Sequence, residues 1–129
     1  IAYFAQDLIN LDEEKTAFEN VSCTSLQDKM TILNLLGMLG LSYDKAQQMV
    51  ANLSGGERVR LSLAKVLLTD ANLLILDEPT NFLDLTAIEA LERFLKEYQG
   101  SVLVISHDQE FVDKVATSKW WIKDGSLID

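Results

Sequence analysis

The chain reads as an α/β protein with a parallel sheet at its core, and three observations carry that reading. Leu73-Leu74-Ile75-Leu76 is an apolar run without alternation, the pattern of a strand buried on both faces, and it runs straight into Asp77 and Glu78. Val102-Leu103-Val104-Ile105 repeats the pattern and delivers Ser106, His107 and Asp108. Between them lies a stretch of helical periodicity, and strand, helix, parallel strand is a βαβ unit whose two strand ends share one sheet edge. In open α/β sheets that edge is where ligands bind.

Composition sets the outer bounds. A chain of 129 residues fits one domain with a real core, and 48% hydrophobic with 24% charged residues is an ordinary soluble balance. The net charge of −9 argues against a nucleic-acid-binding surface in this segment, since phosphate neutralisation needs clustered Lys and Arg. No apolar run approaches the roughly 18 to 20 residues that span a bilayer, and no signal-peptide pattern occurs, so the expected location is cytoplasmic. The single cysteine, Cys23, has no partner for an internal disulfide. With no basic neighbour or His beside it to lower its pKa, it reads as a small structural residue. The chain starts at Ile1, within what reads as a strand, and is expected to be a piece of a longer protein.

In order along the chain, Ile1 to Ala5 is short, apolar and partly aromatic, a buried strand closed by Gln6 and Asp7. From Leu11 to Asn52 the sequence turns polar and helical. Thr16 to Val21 forms a short helix with Phe18 and Val21 inward, and Ser25 to Leu36 places Leu26, Ile32, Leu33, Leu35 and Leu36 on one stripe. Gly37 and Gly40 interrupt that helix, and Asp44 caps another reaching Met49. In Leu53-Ser54-Gly55-Gly56-Glu57, Ser54 caps a helix whose bare first turn attracts anions, although by itself the same start serves as a plain cap. That helix continues through Leu68 with Val59, Leu63, Val66 and Leu67 inward and Arg58, Arg60 and Lys65 more exposed, and Asp70-Ala71-Asn72 closes it.

Pro79 then stops the Leu73 strand where its carboxylates emerge. Asp77 and Glu78 are either a metal and water site or the solvated start of a loop. Thr86-Ala87-Ile88-Glu89 has capping-box spacing ahead of a stripe of Ile88, Leu91, Leu95 and Tyr98, with Phe94 beside it and Gly100 as the left-handed end. Asp108 to Ala116 makes a short helix with Phe111, Val112 and Val115 inward. Lys119 to Lys123 and Ser126 to Ile128 form a hairpin around Asp124-Gly125, with one of Trp120 and Trp121 facing the core and the other covering an edge.

These motifs, in this order, resemble the ATP-binding cassette (ABC) ATPases over essentially the whole chain. Leu53 to Glu57 is similar to their signature, Leu73 to Glu78 to Walker B, Leu83-Asp84 to the D-loop, His107 to the switch histidine and Gln6 to the Q-loop glutamine. The resemblance implies a partial P-loop NTPase fold: 1–11 as the Q-loop strand, 12–52 as the helical subdomain, and 53–129 as signature, Walker B, D-loop, switch and C-terminal hairpin. The G-x-x-x-x-G-K-[ST] loop that cradles phosphate is absent, since Gly37-Met38-Leu39-Gly40 lacks the Lys. With the P-loop strand missing, Val102 to Ile105 is expected to have an unpaired edge with exposed apolar surface, and the segment alone to be inactive.

By the same resemblance the cofactors are ATP and Mg²⁺. Asp77 and Gln6 would hold the metal, Glu78 would polarise the attacking water, and Gln6 and His107 would sense the γ-phosphate. Ser54, Gly55, Gly56 and Glu57 would serve the ATP of a second cassette, with Asp84 communicating across that interface. Glu57 and Asn81 stand where transporter cassettes usually carry Gln and a small residue. Glu-Pro-Thr-Asn followed by Leu-Asp resembles the ABC-F family, soluble twin-cassette ATPases of the ribosome that include translation factors and antibiotic-resistance proteins; Phe82 departs from the His of many members. The resemblance thus implies ATP hydrolysis on the ribosome, with a transporter ATPase subunit and a non-catalytic interaction fragment as the alternatives.

Overall fold

The computed structural model describes residues 1–128. Three parallel strands, β1 (Ala2–Phe4), β2 (Leu73–Asp77) and β3 (Ser101–Ile105), form a sheet in the order β1-β2-β3. Long excursions separate them, as parallel pairing requires. The first holds α1 (Ala17–Ser22), α2 (Lys29–Met38), α3 (Tyr43–Ala46), a 3₁₀ turn (Val50–Asn52) and α4 (Gly55–Leu68). The second is α5 (Leu85–Glu97), after which α6 (Gln109–Val115) precedes an antiparallel hairpin of β4 (Trp121–Lys123) and β5 (Ser126–Ile128).

α4 is the central support. It packs on β1, α1 and α2, and buries Leu61, Leu63, Ala64, Leu67 and Leu68. Of the expected inward stripe, Leu63 and Leu67 are buried and Val59 and Val66 pack half-buried against the core. One continuous apolar cluster joins Ile32, Leu36 and Leu39 of the helical part to Phe4, Leu74 and Leu76 of the sheet and Leu91 and Phe111 beyond.

The sheet is covered on one face, and this corrects the expectation of strands buried on both. Alternation sends Ala2, Phe4, Leu74 and Leu76 into the core, while the opposite residues Tyr3, Leu103 and Ile105 stay between 42% and 49% exposed. β3 also pairs only with β2 among the described residues, so the exposed apolar edge expected at Val102 to Ile105 is present.

Several local expectations also shift. α2 starts at Lys29 because the Asp28 side chain accepts from the Thr31 N–H, which leaves Leu26 exposed outside the helix. It runs through Gly37 and stops before Gly40, whose φ of +89° takes the left-handed turn. Ser42, rather than Asp44, caps α3. α5 ends at Glu97, and Gly100 has no left-handed role: a Cβ there would lie 2.6 Å from the Asn72 carbonyl oxygen, so its smallness serves a close chain crossing. Cys23 is exposed, and Trp120 and Trp121 are both more than half exposed, because the hairpin does not pack into the main core. The Asp124-Gly125 turn has positive φ at both residues, as a two-residue hairpin demands.

Candidate functional site

Parallel pairing brings the chemistry-bearing residues to one edge. The register Phe4↔Leu76 sets Gln6 beside the end of β2, and Asp77↔Ile105 brings the residues after β3 to the same place. There an open cleft of about 290 Å³ is lined by Gln6, Asp7, Asp77, Glu78 and Asn81. Glu78 takes a left-handed backbone (φ 50°), and its N–H donates to the Ile105 carbonyl at 2.7 Å. That bend turns its carboxylate toward His107: the His107 N–H donates to Oε2 at 3.4 Å, and Nε2 lies 3.4 Å from Oε1. The His107 ring is fully exposed, whereas Glu78 is one quarter exposed. Gln6, Asp77 and Glu78 therefore share one cleft with His107 against Glu78, a grouping in which Gln6 was expected only from the family resemblance.

Asp7 and Asn81 line the cleft although the sequence reading assigned them no role; each directly follows or flanks a motif residue, which is the one hint available. No group of three or more His, Cys, Asp or Glu side chains among the described residues is close enough to chelate a metal. The donors offered by Asp77 and Gln6 are hard oxygens and few in number. This set fits Mg²⁺, which keeps several waters and completes its shell with substrate phosphate oxygens, and does not fit an all-protein cage.

The segment after Gln6 is held to α4. Lys65 Nζ donates to the Asn10 carbonyl at 3.4 Å, and Arg58 pairs with Glu13 at 2.8 Å. Asn20, buried on α1, accepts from the Asp12 N–H at 2.8 Å and donates to the Asp12 and Thr16 carbonyls at 3.0 Å, so a buried polar group with three partners pins the loop. The residues a few positions after Gln6 are thereby tied to α1 and to the helix that starts at the Ser54 motif.

That start is a full capping box. Ser54 Oγ accepts from the Glu57 N–H at 3.1 Å and Glu57 Oε1 accepts from the Ser54 N–H at 2.9 Å. Lys45 Nζ stands 3.2 Å from Glu57 Oε2. The Ser54 N–H bond, with Lys45 beside it, holds the Glu57 carboxyl below the usual value of 4.5. Ser54 and Gly55 are exposed, so the first turn opens to solvent. The structure places Ser54, Gly55, Gly56 and Glu57 outside the acidic cleft.

Asp84 begins α5, its Oδ1 accepting from the Ala87 N–H at 2.8 Å, which displaces Thr86 as the expected cap. Between this turn and the end of α2 lies a second cavity of about 260 Å³, lined by Leu39, Gly40, Arg60, Phe82, Asp84 and Ala87. Arg60, expected to be exposed, is half-buried, and its Nε is buried without a hydrogen-bond partner among the described residues. The sequence reading did not single it out for this place.

The family model described as ABC transporter matches residues 1–81. The chain belongs to the ABC transporter family. Its relatives are of the ABC-F type. It is 48% identical to the ATP-binding protein Uup of Haemophilus influenzae, over 91% of this chain and 19% of that protein. It is 40% identical to ABC transporter F family member 5 of Arabidopsis thaliana, over 98% of this chain and 19% of the relative. The chain thus spans about a fifth of the length of these curated relatives. Among solved structures, an archaeal ribosome recycling factor, aABCE1, in complex with the ribosomal stalk protein aP1, matches 96% of this chain and 25% of its own with 30% identity and a TM-score of 0.77. The fold is that of the ABC cassette ATPases, a mixed α/β P-loop NTPase architecture.

Proposed function

We propose that this ABC-F segment contributes the metal-holding and water-polarising part of an ATP-hydrolysing site in a twin-cassette protein that acts on the ribosome. The observation that carries the reading is the convergence of Gln6, Asp77 and Glu78 on one cleft, with His107 against the Glu78 carboxylate. Asp77 and Gln6 are the residues that would hold Mg²⁺. When bound, that ion neutralises charge on the phosphate oxygens.

Glu78 accepts a hydrogen bond from the attacking water and orients it, as a partly exposed carboxylate at a strand end is placed to do. His107 holds that carboxylate in position and turns its exposed ring to the γ-phosphate. The Ser54, Gly55 and Gly56 turn, outside the cleft and open to solvent, offers backbone N–H groups to the ATP of a second cassette, and Asp84 lies at that interface. The ribosomal assignment is supported by the ABC-F relatives and by the likeness to a ribosome recycling factor.

The test is Glu78→Gln in the full-length protein that carries this segment. Hydrolysis is expected to fall by about 10²- to 10⁴-fold, the range of a general base, while ATP binding persists and the ATP-bound protein co-sediments with ribosomes. Undiminished hydrolysis overturns the assignment of Glu78. The family model's description favours a second reading, the ATPase subunit of a membrane transporter, for which membrane subunits rather than ribosomes would co-purify.

A further inference from the structure

We infer that Lys45 is a positioning residue for the phosphate-facing turn at Ser54, acting through Glu57; the inference rests on the nucleotide reading above. A Gln in position 57 would close the same capping box without charge, because only one side-chain oxygen accepts from the Ser54 N–H. Glu57 closes it with a negative charge in the first turn of the helix. For the isolated helix that charge is favourable, since it meets the positive end of the dipole. For an anionic ligand at the same turn it is repulsive, and at short range in a partly desolvated place the repulsion outlasts salt screening.

Lys45 removes this conflict. Its ammonium stands 3.2 Å from Glu57 Oε2, the oxygen left over after Oε1 has accepted from Ser54. The Glu57 side chain is 14% exposed and that of Lys45 39%, so the pair is shielded on the carboxylate side and open to solvent on the other. Of the cations on α4, Arg58 binds Glu13 and the Ala51 carbonyl, and Arg60 stands against Gly56, its Nη1 3.4 Å from where a Cβ there would lie, but makes no ion pair to Glu57. Lys45 itself sits on α3, whose start is fixed by Ser42 accepting from the Lys45 N–H, so the cation reaches the turn from a separately anchored element. The four-residue α3 thus gains a task, which is to deliver one positive charge that holds the carboxylate in the cap.

The experiment is a double-mutant cycle in the full-length protein, with steady-state MgATP hydrolysis as the readout. Lys45→Ala is expected to raise KM for ATP roughly 3- to 5-fold with kcat little changed, the span of a partly shielded ion pair and the signature of lost uniform binding. Lys45→Arg restores KM. In a Glu57→Gln background the same Lys45→Ala change raises KM less, because no carboxylate remains for Lys45 to hold in the cap. An equal KM rise in both backgrounds, or none with Glu57 present, overturns the role of Lys45 while leaving the cleft assignment intact. A parent protein that does not hydrolyse ATP overturns both. Thermal unfolding of each variant identifies a KM change that comes from loss of fold, and Lys45→Gln, which keeps the side-chain bulk, repeats the test without a truncated stem.

Discussion

The helical part and the sheet share one apolar cluster, yet they hold their functional groups by different means. Around α4 the support is local and side-chain based: Ser54 and Glu57 cap each other, Lys45 pins Glu57, and Leu36, Leu39 and Leu61 behind them are fully buried. At the sheet edge the support is long-range and runs through the backbone. Glu78 is held by the Ile105 carbonyl of a strand that is paired on one side and half bare on its outer face. The lesson is that the Ser54 turn owes its geometry to its own capping box and one ion pair from α3, whereas the Glu78 carboxylate owes its geometry to the seating of β3.

The largest contrast lies in the core. Leu36→Ala, at a fully buried site, is expected to cost about 2–5 kcal/mol, while Ile105→Ala on the bare face costs below about 1 kcal/mol. Denaturant midpoints of the two variants measure it, and equal losses would mean that the outer face is covered in solution.

Next come the caps. Ser54→Ala and Asp84→Ala should each cost about 0.5–2 kcal/mol, whereas Thr86→Ala, whose side chain is not the cap, stays within about 0.5 kcal/mol. A large loss at Thr86 in thermal unfolding would return the helix start to the position that the spacing alone suggested.

A smaller effect separates the regions by pH. The Glu57 carboxyl is held below 4.5 in the folded state, so its stabilising contribution is complete above that value and is lost as pH falls through the lower folded-state value. Glu57→Gln should flatten the acid limb of the stability profile, read as unfolding midpoint against pH, and leave the neutral plateau with the same shape. The smallest expected change in stability is that of Leu103→Lys, within about 0.5 kcal/mol, because the side chain already meets solvent. The same variant should reduce self-association seen by light scattering, as a charge on an open edge strand does.

What was legible in the sequence follows the same division. The Ser54 cap was readable because Ser-x-x-Glu acts within one turn, and the meeting of Glu78 with His107 followed from βαβ topology. Gln6 could be joined to them only through the family resemblance, since nothing local says which strand pairs with β2. Thr86-x-x-Glu89 satisfied the capping pattern as well as Ser54-x-x-Glu57 does, but Asp84 lies two residues earlier and captures the Ala87 N–H first. The one-sided burial of the sheet was not readable, because an apolar run reports what a strand tolerates rather than what covers it. Arg60 escaped notice because its place in a cavity depends on the Gly40 turn and the Asp84 turn, which are remote from it in sequence.

The left-handed backbone at Glu78 carries a last consequence. A non-glycine residue at φ 50° stores roughly 1–3 kcal/mol of strain. Glycine takes this conformation without steric strain, at the cost of a larger loss of chain entropy on folding. Glu78→Gly should therefore relieve that strain and, on the function proposed above, abolish hydrolysis by the full-length protein. If the proposed role of Glu78 holds, position 78 is where durability and turnover of the full-length protein pull in opposite directions, and a screen for thermostable variants of that protein would be drawn to inactive ones through this single residue.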